Sequence, residues 1–331
     1  MGLLTEDGIV LQEEIDARTV VTAAAPVIQV DQLSKRYGEL LAVSDLSFSV
    51  PEGSIFALTG PNGSGKTTTV ECMEGLREAD AGRVRVLGMD PFTERRRLFQ
   101  QLGVQLQENS MHTRLRLEEA LWMWSAFYDR PANGDELLKT FGLLAKKSMM
   151  YGKLSGGEKR RFLTALAFIG SPKVLILDEP TTGLDPQARY NVWQTLHGYA
   201  RDGTTILLTT HNMDEAEAEC DLIAIIDHGH LLSSGTPKHL LDEHGLETRV
   251  ALPKGAAVSK EDVQQRREAL GVRSVESVGD QLVVYGKGAA FLREVSLFAQ
   301  SRGVQATDIE IRRARLEDLF LLLTGREYRE D

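Results

Sequence analysis

The stretch Ala57-Leu-Thr-Gly-Pro-Asn-Gly-Ser-Gly-Lys-Thr-Thr68 decides the reading of the chain. Gly60, Gly65, Lys66 and Thr67 give G-x-x-x-x-G-K-[ST], the phosphate-binding P-loop pattern. An apolar β-type run, Ile55 to Leu58, precedes it, and a helical run carrying Val70, Met73 and Leu76 follows. That order has a chemical reason. Glycines let the backbone wrap a phosphate with its N–H groups pointing inward, and a helix N-terminus adds a favourable dipole. Gly60, Pro61, Asn62, Gly63, Ser64, Gly65, Lys66, Thr67 and Thr68 are therefore expected to hold a nucleotide. Lys66 reaches the β- and γ-phosphates, and the Thr67 hydroxyl ligates Mg²⁺. A glycine-rich turn matching by chance has no need of a strand before it and a helix after it.

Further along, Lys173-Val-Leu-Ile-Leu-Asp-Glu-Pro180 is an apolar run ending in two carboxylates. A continuous apolar strand reads as central and parallel, covered on both faces. Its C-terminal end is where open α/β sheets bind ligands. Asp178 there suits the Mg²⁺-binding acid that accompanies a P-loop. Glu179 suits the residue that orients or deprotonates an attacking water. Thr204-Thr-Ile-Leu-Leu-Thr-Thr-His211 is a second such strand, and it places His211 at the same edge. Between them, Asp185 reads as an N-cap followed by Pro186 in the first helical position. Leu154-Ser-Gly-Gly-Glu158 opens a helix, and Ser155 and Glu158 have capping-box spacing. Two glycines there also bare backbone N–H groups to an anion, which capping alone does not require.

The remainder supplies the frame. Residues 1–25 show no period and read as a loosely ordered tail. Val27–Leu33 and Ala42–Val50 alternate as strands with a turn at Ser34–Gly38, an antiparallel β layer ahead of the nucleotide core. Leu102–Gln107 reads as a strand ending in glutamine, and about 108–170 as a helical insertion. Within it, Trp122, Trp124, Phe127 and Tyr128 read by default as core, the alternative being an exposed docking face. After about residue 243 the order becomes β-α-β-β-α-β, that of a small ferredoxin-like domain over 245–331, closed by a helix with Leu316, Leu319, Phe320 and Leu323 on one side. The nucleotide-binding domain is expected over 26–240. A length of 331 residues suits two domains. A net charge of −10 argues against a nucleic-acid surface. Cys72 and Cys220 have no metal-ligand spacing and read as small buried hydrophobes of a reducing compartment. No apolar run approaches the roughly 18 residues of a transmembrane helix, and no leader is evident, so the expectation is a soluble, cytoplasmic chain.

Taken together, Gly60–Thr67, Gln107, Leu154–Glu158, Leu175–Glu179, Asp185 and His211 resemble, in order, the motifs of ATP-binding subunits of ABC transporters, over about residues 26–235. The ending Leu316–Gly325 resembles ABC-2 type drug-export subunits such as the daunorubicin-resistance exporters. The resemblance implies an α/β P-loop ATPase that binds ATP and Mg²⁺ and hydrolyses ATP. It implies that Tyr37 stacks on adenine and that Gln107 contacts Mg²⁺ and senses the membrane partner; Gln105 lacks the family's spacing from Gly103. It also implies that Ser155, Gly156, Gly157 and Glu158 meet ATP held by a second copy or a homologous subunit. Asp185 couples the two sites, and His211 holds the γ-phosphate and the water. The family's signature usually ends in Gln, where this chain has Glu158. The partner implied is an ABC-2 type membrane permease, at the cytoplasmic face of the membrane, and the reaction drives export of a drug-like, lipid or polysaccharide substrate. The competing class is a soluble relative acting on ribosomes or DNA. Such relatives usually have two cassettes or a long coiled-coil insertion, and this chain has neither.

Overall fold

A computed structural model describes residues 26–105, 111–254 and 258–325. The expected tail, 1–25, lies outside the described residues. The chain opens with β1 (Pro26–Tyr37) and β2 (Leu40–Pro51), paired antiparallel. Ile28, Val30, Val43, Leu46 and Val50 are buried while alternate positions face outward, the period of a half-buried strand. The turn expected at Ser34–Gly38 is corrected: Ser34–Tyr37 stays in β1, and reversal begins at Gly38 (φ 57°). The alternation breaks there because register shifts near Gln32 (φ 50°) bulge the strand without ending it.

β3 (Ile55–Thr59), buried at all five positions, runs into the P-loop and α1 (Lys66–Met73). β4 (Ala81–Val86) then pairs with β1, giving a three-stranded layer ordered β2-β1-β4. A short helix, α2 (Arg95–Leu98), leads to β5 (Leu102–Val104). The helical insertion contains α3 (Leu117–Ser125), α4 (Gly134–Thr140) and α5 (Gly156–Ala167). α3 buries Leu117, Ala120 and Leu121, at helical spacing. The default reading of the aromatic group as core is therefore corrected for Trp122 and Phe127, which are 76% and 69% exposed, while Trp124 and Tyr128 are partly buried.

Alternating strands and helices follow: β6 (Val174–Asp178), α6 (Pro186–Arg201), β7 (Thr205–Thr210), α7 (Met213–Glu219), β8 (Leu222–Asp227), β9 (His230–Gly235) and α8 (Pro237–Glu243). With β3 and β5 they form a six-stranded sheet ordered β5-β6-β7-β3-β8-β9, parallel except for β9. The four inner strands are buried almost throughout because both faces are covered, and their interiors are apolar, with threonines and aspartates mostly towards their ends. Thr59 lies beside Thr210, and Asp178 beside Thr209. The P-loop, the Asp178–Glu179 pair and His211 thus leave the sheet at one edge.

The chain ends in β10 (Thr248–Pro253), α9 (Lys260–Gln265), α10 (Arg267–Leu270), β11 (Val272–Val278), β12 (Gln281–Gly286), α11 (Gly288–Ser301), β13 (Glu310–Arg313) and α12 (Leu316–Thr324). The sheet order β11-β12-β10-β13, antiparallel throughout, is the ferredoxin-like arrangement. One face packs Val250, Leu252 and Val284 against Phe291, Val295 and Phe298. On the other face Ala251, Val283 and Tyr285 join a core that includes Leu316, Leu319 and Phe320 of α12 together with Met213, Ala216 and Leu240 of α7 and α8. α12 is a wedge between the small sheet and the nucleotide core.

Candidate nucleotide site

The P-loop's shape follows from its glycines. Gly60 has φ 153°, and a Cβ there would lie 2.1 Å from the Ile226 carbonyl oxygen; Gly65, the N-cap of α1, has φ 104°. No L side chain is at ease in either place. The loop bounds a cavity of about 240 Å³ lined by Asn62, Gly63, Gly65, Lys66, Thr67, Thr68, Arg160, Asp178 and Glu179. Lys66 is buried, and its ammonium donates to the carbonyl oxygens of Gly60 (2.7 Å) and Pro61 (3.0 Å). Burial pulls its pKa below the usual lysine value, against the opposing pull of the Glu179 and Asp178 carboxylates. The Ser64 hydroxyl is buried with no hydrogen-bond partner among the described residues. A buried cation resting on backbone carbonyls and an unsatisfied hydroxyl suit a phosphate, which accepts from both.

The two carboxylates are set by one hydroxyl. Thr209 Oγ1 donates to Asp178 Oδ1 and accepts from the Glu179 backbone N–H at 3.1 Å. Glu179 takes φ 48°, a left-handed conformation uncommon for a residue with a side chain and typical of functional positions. Its Oε1 lies 2.7 Å from His211 Nδ1, and its Oε2 accepts from Thr182 Oγ1 at 3.0 Å. A carboxylate fixed from two sides at the rim of a phosphate cavity has the placement of a base for water.

The remaining expected site residues lie elsewhere. Ser155, exposed, caps α5, accepting from the Glu158 N–H at 3.3 Å, and Glu158 returns the bond to the Ser155 N–H at 3.0 Å. Glu158 Oε1 is paired with Lys146 Nζ, and that bond, followed by the Ser155 N–H, holds its carboxyl below the usual range. Gly156 faces open space. Asp185 caps α6 by accepting from the Ala188 N–H at 2.9 Å. Tyr37 is half exposed, with Lys35 and Arg77 5.8 and 5.7 Å from its ring centre. None of these lines the phosphate cavity. Gln107 lies outside the described residues. Gln105 is buried, donating to the Asp178 carbonyl (3.2 Å) and accepting from Thr164 Oγ1 (3.3 Å), so it joins β6 to α5.

Arg160 and Thr209 are members of the site that sequence reasoning passed over. Arg160 sits in the run Lys159-Arg-Arg161, which reads as an ordinary solvated helix face. Thr209 had a usable signal: two threonines directly precede the strand-end histidine.

The family described as "ABC transporter" matches residues 43–182. The Nod factor export ATP-binding protein I of Ralstonia nicotianae is 37% identical over 318 residues, spanning 93% of this chain and 96% of that protein. Its namesake in Burkholderia orbicola is 36% identical over 304 residues, spanning 90% and 97%. A solved structure described as the ATP-binding subunit of an ABC transporter superposes with a TM-score of 0.62 at 29% identity, covering 66% of this chain and 94% of that one. With near full-length coverage at this identity, and a phosphate cavity carrying an acid pair where the fold positions ligands, the chain belongs to the ABC transporters as one of their ATP-binding, ATP-hydrolysing subunits.

Proposed function

We propose that the cavity at the P-loop holds Mg²⁺-ATP and that Glu179 is the base of its hydrolysis, with His211 orienting it. The Glu179–His211 contact of 2.7 Å at the cavity rim carries this reading. Lys66 and the amides of Gly63–Thr68 neutralise and orient the phosphates, and Tyr37 stacks on adenine. Mg²⁺ is suited to one carboxylate and one hydroxyl alongside phosphate oxygens, here Asp178 and Thr67, with Gln107 as a third protein ligand. Bound there, it would supply charge neutralisation for the phosphates. Glu179 takes a proton from water as the water oxygen bonds to the γ-phosphorus and the bond to the bridging oxygen breaks, leaving ADP and phosphate. Ser155, Gly156, Gly157 and Glu158 complete the site of a second subunit, homologous or identical, and Asp185 couples the two.

Family subunits dimerise and work with membrane permeases. For this chain we infer an ABC-2 type permease, a position at the cytoplasmic face of the membrane, and export; the relatives' names, which specify export, support the direction. No described helix is long and apolar enough to cross a membrane. The test is Glu179→Gln, which lowers phosphate release at least a hundredfold while retaining ATP. Purified with Mg²⁺-ATP from detergent-solubilised cells, this variant brings down a polytopic membrane protein. Unchanged phosphate release would end the catalytic assignment. Ribosomal proteins in place of a permease would move the chain to the soluble class.

A further inference from the structure

Glu179 directly follows β6 and leads into a loop, whereas His211 directly follows β7 and leads through the N-cap Asn212 into α7. Their contact therefore depends on how the segment after Glu179 sits against α7, which starts after His211. The φ of 48° at Glu179 makes this demanding, because such a conformation persists only where its surroundings hold it. The residue at which those surroundings converge is Glu215. It is on the first turn of α7, with its side chain 12% exposed. Its Oε2 accepts from Thr181 Oγ1 at 2.6 Å and from Trp193 Nε1 at 3.3 Å, and its Oε1 pairs with Arg189 Nη1 at 3.0 Å. Its backbone N–H donates to Asn212 Oδ1 at 2.8 Å.

Each contact leads towards the catalytic pair. Thr181 adjoins Thr182, whose hydroxyl donates to Glu179. Asn212 adjoins His211. Arg189 and Trp193 lie on α6, the helix capped by Asp185. The carboxylate thus ties the segment after β6 and α6 to α7, while the Glu215 N–H joins the start of α7 to the residue after His211.

Resting on the reading of Glu179 as the base, we propose that Glu215 is a positioning residue for hydrolysis. It touches no part of the nucleotide cavity and acts by holding the loop after Glu179 against α7, so that Glu179 and His211 meet. A residue with this role governs turnover and leaves nucleotide affinity alone, because Lys66 and the P-loop amides stand on α1 and β3.

The experiment uses the full chain with Glu215→Ala, Glu215→Gln and Thr181→Val, measuring MgATP hydrolysis, binding of a fluorescent ATP analogue and thermal unfolding. Glu215→Ala lowers kcat tenfold or more, with KM and the dissociation constant within twofold. Glu215→Gln keeps an oxygen for Thr181 and Trp193 and holds kcat within threefold of the unmodified chain. Thr181→Val, which removes one donor and leaves the Arg189 pair, lowers kcat several-fold, and it carries the test should Glu215→Ala fail to fold. A kcat within twofold in Glu215→Ala, or losses in kcat that track losses in affinity and Tm across the three variants, would overturn the proposal. Glu179→Gln separates the two readings. If it abolishes hydrolysis while Glu215→Ala does not, only the positioning role falls; if it leaves hydrolysis intact, the base assignment falls first.

Discussion

At position 158 an acid stands where the family's signature usually has Gln, and its charge is answered within the chain by Lys146. The pair is partly exposed, so its own worth is at most about 1 kcal/mol. Its consequence is electrostatic, because the start of α5 is the part proposed to face a partner's ATP. Lys146→Met leaves Glu158 uncompensated beside a polyphosphate, and in a Glu179→Gln background it weakens Mg²⁺-ATP-induced dimerisation several-fold by light scattering. Adding Glu158→Gln restores it; a double variant as weak as the single would show that charge is not the cause. A second acid is perturbed differently. Glu74, just past α1, is pushed up to about 8 by burial, with Asp178 and Glu71 adding to the rise. The folded chain binds a proton there that the unfolded chain, titrating near 4.5, releases. That contribution to stability is complete below the unfolded pKa and is lost as pH rises through about 8. Glu74→Gln therefore raises Tm at pH 9, by an amount reflecting a few kcal/mol at about 1.4 kcal/mol per pKa unit, and changes it little near pH 5.

At the scale of elements, what was legible followed from local chemistry and what was missed depended on neighbours. The P-loop, the apolar β6 and β7, the caps Ser155 and Asp185 and the β-α-β-β-α-β order each carry their signal in a short window. The continuation of β1 through Ser34–Tyr37 does not, because the bulge at Gln32 is set by pairing with β2 and β4. Nor does the exposure of Trp122 and Phe127, since composition cannot say which side of α3 the rest of the insertion covers. Arg160 enters the site only through the packing of α5 against the core. The Asp318 network was equally hidden. That buried carboxylate accepts from Tyr285 Oη (2.9 Å), from both Arg312 Nη atoms (2.7 and 3.0 Å) and from the Arg315 N–H (2.8 Å), with Arg249 Nε at 3.4 Å. Burial and the Asp318 charge drive the Tyr285 phenol well above its ordinary value. Removing one member of such a cluster strands the other charges, so Asp318→Ala costs about 3–5 kcal/mol in urea unfolding. A loss below 1 kcal/mol would show that the arginines find water instead.

For the whole molecule, the question is whether the C-terminal unit is separable. Its order and its Phe291–Phe298 core suggest that it is, but α12 buries Leu316, Leu319 and Phe320 in the core shared with α7 and α8. The Leu316 N–H donates to Glu217 at 2.8 Å, and Arg315 pairs with Asp214 at 3.1 Å, both acids on α7. Full burial of three such side chains contributes on the order of 4–9 kcal/mol, comparable with the entire stability of many domains. A chain truncated at residue 245 is therefore expected to be insoluble or to unfold at least 10 °C lower, and its loss of ATPase activity would say nothing about signalling between the units. The informative change is Arg315→Ala, which removes one half-exposed ion pair and leaves the apolar wedge in place. Because α7 also carries Glu215, slackening its outer side lowers kcat about two- to threefold, with Tm within about 2 °C and nucleotide affinity unchanged. A kcat equal to that of the unmodified chain would mean that α7 is held by its apolar face alone, and that the C-terminal unit supports the nucleotide core without influencing turnover.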